Sequence, residues 1–310
     1  MNNSPFFSVV IPTYNRENII KKAIDSVLSQ SFQDFEIIII DDCSTDNSRN
    51  IIEKFASQYP YIIEPIYNEN NLGVTRSRNI ALSHCSGEVI TYLDGDDLFY
   101  KNKLQSEYEL LQKDPSIHCV YSNFNKIDEN GNLIGIFASP SEDPITGDIF
   151  SATFSNQMNV SSGGYFRCEM FYKKCLIKSG NYDTNLISWD DWDIQIRMSK
   201  FFKYGYCSNI NSAYRKWSGS LNSLPLELHY RDQMIIYNKN KKLIQDLKEK
   251  EKSFIRNRVY SRIKGLYIHI MKENIKSQNL LHIIYYCIHF IVTFRTRKSI
   301  SVALRALKNT

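Results

Sequence analysis

Three carboxylates in four residues, Asp94-Gly95-Asp96-Asp97, directly follow the apolar run Glu88 to Leu93. Alternate side chains of extended backbone share a face, so Asp94 and Asp96 point the same way, and Gly95 lets the chain turn closely between them. Two like charges held together are stable when they share a cation. Hard divalent ions such as Mg2+ or Mn2+ take carboxylate oxygens and complete six-coordination with phosphate and water. This spacing fits a metal at Asp94 and Asp96 facing a diphosphate. The competing reading is that Asp96 and Asp97 cap a helix opening near Lys101.

Two further acidic groups stand out. Asp41-Asp42 closes the apolar run Glu36 to Ile40, a position where carboxylates accept hydrogen bonds from ribose hydroxyls or a base N–H; the following Ser44-Thr45-Asp46 also fits helix-start chemistry. Trp189-Asp190-Asp191-Trp192-Asp193 places carboxylates at a helix start, where the dipole accounts for part of the acidity. The flanking tryptophans offer a surface to stack on a sugar and a low local dielectric that would raise a carboxylate toward base strength. Arg197 is spaced to reach back one turn and orient such a group. The first glycine of the chain is Gly73, so neither a GxGxxG nor a Walker A loop exists at the first strand-to-helix turn. Dinucleotide dehydrogenases and P-loop enzymes are thereby excluded. Single histidines such as His84, His118, His229 and His269 read as ordinary surface or core residues, and Ser162-Gly163-Gly164 as an acceptor-side loop or a turn.

The elements that must hold these groups follow a regular order. Short runs rich in Val, Ile and Tyr at Phe7 to Ile11, Glu36 to Ile40, Tyr61 to Tyr67 and Glu88 to Leu93 read as buried strands. Helix-period segments lie between them, at Asn18 to Ser29, Asp46 to Gln58 and Thr75 to His84. The alternation predicts a mostly parallel sheet flanked by helices, with chemistry beyond the carboxyl ends of the strands. A helix over Lys101 to Gln112, a strand over His118 to Lys126 with a turn at Asp128 to Asn132, a strand over Gly164 to Arg167, a helix from Asp190 to about Phe202 and a closing strand near Tyr206 to Ala213 follow. From about Leu226 the pattern is helical.

The 310 residues carry 38 basic and 33 acidic side chains, a formal net charge of +5, with 43% hydrophobic residues. That mixture argues against disorder and against a dedicated nucleic-acid binder. The balance is uneven along the chain. Residues 1–224 hold 20 basic and 27 acidic groups, whereas residues 225–310 hold 18 and 6. Two regions are expected, 1–224 with the chemistry (donor side about 1–100, acceptor side about 101–224) and 225–310 as a helical basic tail. Seven scattered cysteines without a CxxC pair suit a reducing compartment, and no signal peptide is read at the N-terminus. Leu280 to Phe294 is apolar but shorter than the roughly 20 residues a spanning helix needs.

Taken in order, Val9-Val10-Ile11-Pro12-Thr13-Tyr14-Asn15-Arg16, Ile40-Asp41-Asp42-Cys43-Ser44-Thr45-Asp46, Asn71-Leu72-Gly73 to Ser77-Arg78-Asn79, Leu93-Asp94-Gly95-Asp96-Asp97 and Asp190-Asp191-Trp192-Asp193 to Arg197 closely resemble the family 2 glycosyltransferases. The resemblance covers about residues 6–217. It implies a GT-A fold and an inverting, metal-assisted transferase of nucleotide-diphospho-sugars. Pro12, Thr13, Tyr14 and Arg16 would then belong to the donor pocket, Asp41 to the uracil or ribose, and Arg78 to the neighbourhood of the base. Asp94 would serve ribose and metal, Asp96 the metal (Mn2+ or Mg2+), and Asp191 would be the catalytic base. Asp190, Trp189, Trp192, Arg197 and Arg215 become supporting or acceptor-side residues. One departure is visible. Many relatives read Tyr-Arg-x-His where this chain has Tyr214-Arg215-Lys216-Trp217, so Trp217 stands in place of that histidine, and Arg215, Lys216 or Ser220 is left to meet the phosphates.

The expected reaction moves a sugar, from a UDP-sugar, to a hydroxyl of a surface glycan or lipid-linked acceptor. A transferase using GDP- or dTDP-sugars and a catalytically inactive glycan-binding or scaffold protein are the alternatives. The basic tail, with Arg295, Arg297 and Lys298 behind the apolar stretch, suits the cytoplasmic face of an inner membrane or, alternatively, homo-oligomer packing.

Overall fold

The computed structural model describes residues 4–161, 170–217, 221–276, 280–294 and 299–303. The strand expected over Gly164 to Arg167, the Ser162-Gly163-Gly164 loop, Ser220 and the basic residues Arg295, Arg297 and Lys298 lie outside them. The chain divides into two compact units, Met1–Gly219 and Ser220–Thr310.

The first unit opens as strand and helix in alternation: β1 (Phe7–Thr13), α1 (Ile20–Leu28), β2 (Phe35–Asp41), α2 (Ser48–Gln58), β3 (Ile63–Tyr67), α3 (Val74–His84) and β4 (Val89–Tyr92). It continues through β5 (Leu98–Phe99), α4 (Lys103–Lys113), β6 (Ile117–Ile127), β7 (Leu133–Ile136), α5 (Phe150–Ser155), β8 (Met170–Tyr172), α6 (Lys174–Ser179), α7 (Asp190–Ser199) and β9 (Lys203–Arg215). The strands form one sheet in the order β3-β2-β1-β4-β8-β6-β9-β5, with β7 paired to β6.

The sheet is parallel across β3, β2, β1 and β4 and mixed beyond, where β8 runs antiparallel to both β4 and β6 and β5 runs antiparallel to β9. β5 and β8 hold two and three residues, too few to carry a pattern of their own.

Both faces of the sheet are covered, which is why its central strands read as continuous apolar runs rather than alternating ones. Val9, Ile11, Ile37 and Ile39 pack with Ile20, Ala23, Ile24 and Val27 of α1 and Leu104 of α4. Their neighbours Val10, Ile38 and Ile40 point the other way, onto Ala81 and Leu82 of α3 and Ile194 and Met198 of α7. The period-2 geometry of a strand thus divides the apolar residues between two cores.

The second unit contains α8 (Leu226–Asn240), α9 (Glu249–Lys276) and α10 (Leu280–Phe294). Ile255, Val259, Ile263, Tyr267 and Ile270 form the buried stripe of α9, at the helical spacing the sequence shows. No described helix is long and apolar enough to cross a membrane.

Candidate active site

The parallel register fixes where the polar strand ends meet. Thr13 pairs with Asp41 and Asp41 with Tyr67, so β1, β2 and β3 finish level. Backbone pairing continues past the strands: Asp42 N–H donates to the Thr13 carbonyl at 2.9 Å, and Gly95 N–H to the Pro12 carbonyl at 3.2 Å. The acidic loop after β4 therefore lies directly over the end of β1. Close approach explains Gly95, because a Cβ there would stand 2.9 Å from Thr13 Oγ1 and 3.3 Å from the Pro12 carbonyl oxygen.

Side chains tie the loops after β1 and β2 to each other. Asn15, in the left-handed region at φ 53°, accepts the Thr45 N–H on its Oδ1 at 2.8 Å, and the Asn15 and Arg16 N–H groups donate to Ser44 Oγ and Ser48 Oγ, both at 2.8 Å. Asp46 takes the Ser48 N–H and the Glu17 N–H, so the helix-start reading of that stretch applies to Asp46. Asp42 has a different task. Its carboxylate accepts the Leu72 and Gly73 N–H groups and the Asn68 amide, each at 2.8 Å, and shapes the turn that opens α3. Asn68 also donates to Ser77 Oγ at 3.0 Å.

Asp41 is 1% exposed. One of its oxygens accepts the Ser44 N–H at 3.0 Å, and the other, Oδ1, has no partner among the described residues. A buried carboxylate oxygen without a donor costs free energy unless a ligand N–H or O–H reaches it. Thr13 Oγ1, beside it, is equally unsatisfied. Pro12 is buried, and Tyr14, at 41% exposure, forms the open lip of this end of the sheet.

Arg78 of α3 joins this donor side to the segment before β9. Its guanidinium donates to Asp94 Oδ1 at 2.8 Å and to Asp190 Oδ2 at 2.5 Å, with Tyr92 and Tyr182 rings flanking it at 5.6 and 5.5 Å. The group expected beside the base is thus committed to two carboxylates. Asn79 and Tyr182 exchange two hydrogen bonds, amide to carbonyl at 2.9 Å and backbone N–H to amide oxygen at 3.0 Å, which docks the approach to α7 onto α3. Tyr182 carries no signal in the sequence; Tyr92, Asn68 and Asn79 are visible there only as members of strand-end and Ser77-Arg78-Asn79 motifs, without the partners the fold gives them.

At the start of α7 the two adjacent aspartates differ sharply. Asp190 is buried, and burial pushes its carboxyl up to about 6 against the opposing pull of Arg78. Asp191 is half-buried and accepts its neighbour's N–H, from Trp192, on Oδ1 at 2.8 Å. Trp189 turns the chain into the helix with φ at 61°, a left-handed conformation uncommon for a bulky residue.

Four sequence expectations need correction. Trp192 is 1% exposed and donates its indole N–H to the Thr153 carbonyl at 2.9 Å, so it belongs to the core and cannot stack on a sugar. Arg197 does reach back one turn, but to Asp193 at 2.8 Å, and it also donates to the carbonyls of Ser179, Gly180 and Asn181. It staples α6 to α7 rather than orienting Asp190 or Asp191. Asp96 and Asp97 do not cap α4, whose N-cap is Asn102. Instead Asp97 Oδ1 accepts the Arg215 N–H at 2.8 Å and anchors the end of β9 to the acidic loop. The Arg215 guanidinium is spent on the carbonyls of Asp96, Asp128 and Glu129 at 2.9 to 3.0 Å.

The donor set at Asp94 and Asp96 is all oxygen. Asp94 shares one oxygen with Arg78, and Asp96 Oδ2 accepts from Arg16 Nε at 3.3 Å and from the Trp217 indole at 3.0 Å. No cluster of three His, Cys, Asp or Glu side chains suited to a metal occurs among the described residues. These two carboxylates fit a hard divalent cation that draws its remaining ligands from phosphate oxygens and water.

Comparison with known proteins agrees with this geometry. The glycosyl transferase family 2 model matches residues 8–173. Escherichia coli WfgD, a UDP-Glc:alpha-D-GlcNAc-diphosphoundecaprenol beta-1,3-glucosyltransferase, is 35% identical over 133 residues, which cover 43% of this chain and 51% of that protein. The chain thus spans about half the length of that relative. The uncharacterized glycosyltransferase MJ1057 of Methanocaldococcus jannaschii is 30% identical over 216 residues, covering 69% of this chain and 71% of the relative. Among solved structures, S. aureus TarS 1-349 in complex with UDP-GlcNAc superimposes with a TM-score of 0.60 at 20% identity, over 98% of this chain and 92% of that TarS 1-349 chain. The fold is GT-A, and the chain belongs to glycosyl transferase family 2.

Proposed function

We propose that the chain is an inverting glycosyltransferase that moves a sugar from a UDP-sugar to a hydroxyl of a cell-surface glycan or lipid-linked acceptor. The observation that carries this reading is the Arg78 bridge between Asp94 and Asp190, which sets the acidic loop beside the carboxylates at the head of α7. Donor handling and proton removal then lie within reach of one sugar. The buried, unpartnered Asp41 Oδ1 is an acceptor suited to an imide N–H or a ribose hydroxyl, and Tyr14 offers an exposed ring beside it. The names of relatives point the same way: WfgD acts from UDP-Glc on a diphosphoundecaprenol-linked acceptor, and TarS is seen with UDP-GlcNAc.

In this reading Asp191 is the general base. Its Oδ1 is occupied by the Trp192 N–H, and Oδ2 takes no hydrogen bond from the described residues, so one oxygen is left for the acceptor hydroxyl. As Asp191 takes that proton, the acceptor oxygen bonds to the anomeric carbon while the bond to the diphosphate oxygen breaks on the opposite face. Such a base contributes about 10²- to 10⁴-fold. Asp94 and Asp96 would hold Mg2+ or Mn2+, which neutralises charge on the leaving diphosphate. Asp190 serves as the buried partner of Arg78.

The helical unit fits a peripheral membrane role in the same reading. Leu281, Ile284, Tyr285, Ile288 and Val292 make an exposed apolar stripe on α10, in a region of the chain with a large basic excess. An amphipathic surface of this kind lies flat on anionic lipid, near lipid-linked acceptors.

The test is release of nucleotide from a panel of sugar donors by the full chain with Mg2+ or Mn2+. Turnover of a UDP-sugar is expected. Turnover confined to GDP- or dTDP-sugars would reassign the donor, and neither turnover nor UDP binding would leave a scaffold that has lost catalysis.

A further inference from the structure

Five carboxylates, Asp41, Asp94, Asp96, Asp190 and Asp191, gather where an anionic donor would have to bind, so the cations nearby decide how a diphosphate is tolerated. Among the described residues, three arginines stand at this edge. Arg78 is buried and divided between Asp94 and Asp190, and Arg215 is buried against three backbone carbonyls. Arg16 alone of the three is partly open, its side chain 21% exposed.

Arg16 is held on three sides. Its Nη1 donates to the Tyr14 and Asn15 carbonyls at 2.9 and 3.0 Å, its Nε faces Asp96 Oδ2 at 3.3 Å, and its guanidinium carbon lies 4.4 Å from the centre of the Trp217 ring. Nη2, with two N–H groups, makes no hydrogen bond with the described residues. With Nη1 and Nε occupied and the face seated on an aromatic ring, Nη2 is the part of the guanidinium left to meet a ligand, and its N–H groups suit charge-assisted hydrogen bonds to phosphate oxygens. Trp217 also donates its indole N–H to Asp96 Oδ2 at 3.0 Å. One side chain thus fixes both the carboxylate of the acidic loop and the cation beside it. An indole nitrogen is a donor only, so Trp217 acts through Asp96 and Arg16 and not as a metal ligand.

We propose that Arg16, seated on Trp217 beside Asp96, is a protein-borne cationic contact for the donor's diphosphate, and that Trp217 is the positioning residue for both. The proposal rests on the nucleotide-sugar reading above. It separates Arg16 from the base-recognition groups at Asp41 and Tyr14: Arg16 reads the phosphates, and those groups read the nucleoside. The contact does not need the metal, so UDP is held in its absence more tightly than uridine.

Calorimetric titration of the full chain with UDP and with uridine, in EDTA and in Mg2+, tests this. In EDTA, Arg16→Gln is expected to lower UDP affinity about tenfold, the size of one lost charge-assisted contact, and to leave uridine unchanged. Trp217→Leu, which removes both platform and N–H, should match Arg16→Gln, whereas Trp217→Phe, which keeps a ring under the guanidinium, should retain most of the UDP preference. Unchanged uridine affinity also reports that each variant is folded. An Arg16→Gln protein with the wild-type ratio of UDP to uridine affinity overturns the proposal alone. Failure of the wild type to bind UDP in either buffer overturns it together with the nucleotide-sugar reading.

Discussion

Arg78 Nη1 closes on Asp190 Oδ2 at 2.5 Å across 112 positions of sequence, with both side chains almost wholly buried. Neither residue is stable there without the other, because an uncompensated charge in the interior costs several kcal/mol. Arg78→Ala is expected to destabilise the chain by about 3–5 kcal/mol, read by urea unfolding. Adding Asp190→Asn to that variant should recover part of the loss, since the orphaned carboxylate is removed. A double variant no better than Arg78→Ala would mean that the ion pair is not the source of the cost.

Asp190 also sets a pH dependence. Burial raises its carboxyl to about 6, so the folded state holds this proton more tightly than the unfolded chain does. Its contribution to stability is therefore complete below about pH 4, the unfolded value, and is lost as pH rises through about 6. Wild type should lose stability relative to Asp190→Asn over that window, measured as the difference between their melting temperatures at stepped pH. Parallel curves would show that burial does not raise the group as argued.

The neighbouring pair Asp190 and Asp191 separates structure from chemistry. Asp191→Asn keeps shape and should keep UDP affinity, because the hydrogen bond Asp191 makes is with its own neighbour Trp192 and not with the loops around Asp41, while transfer falls by about 10²- to 10⁴-fold. Asp190→Asn should instead alter stability and the placement of Arg78, with a smaller loss of transfer. Equal losses in the two variants would put the base assignment in doubt.

How far the sequence could be read depended on the range of each interaction. Strands β1, β2 and β4 and the polar residues at their ends follow from local patterns, since burial on both faces writes a continuous apolar run and the crevice lies where such runs stop. Residues such as Trp192, Arg197 and Arg215 carry chemically capable groups, yet their partners are the Thr153, Ser179 and Asp128 carbonyls, from 18 to 87 positions away. Nothing local distinguishes an arginine that binds phosphate from one that satisfies carbonyls. The same limit hid Trp217, visible in the sequence only as a departure and found in the fold on Asp96 and Arg16. β8 was missed for another reason: three residues cannot show a period, and its place is set by the strands on either side.

Gly95 offers a steric test of how tightly the acidic loop is held. Gly95→Ala would bring a Cβ to 2.9 Å from Thr13 Oγ1, so the loop must lift from β1 and carry Asp94 and Asp96 with it. Overpacking of this kind costs about 1–3 kcal/mol, and UDP binding should weaken alongside it. Thr13→Ala in the same chain removes the hydroxyl and should restore part of both. Binding unchanged in Gly95→Ala would show that the loop is free to shift without consequence for the donor.

The helical unit yields the last prediction. On α10, Leu281 is 80% exposed, and Tyr285, Ile288 and Val292 follow it on the same face at three- and four-residue steps. Burying such side chains in the acyl boundary is favourable by roughly 0.8 kcal/mol per CH₂, and each nearby Lys or Arg adds about 1 kcal/mol on anionic lipid. Cosedimentation with vesicles should therefore need anionic lipid, weaken with salt, and fall steeply in a Leu281→Asp, Ile288→Asp chain that still binds UDP. If that chain and the wild type sediment alike, the stripe does not meet the membrane. If the wild type stays in solution and the paired substitution instead halves its mass in sizing experiments, the stripe packs against a second copy, and the basic excess behind it needs another partner.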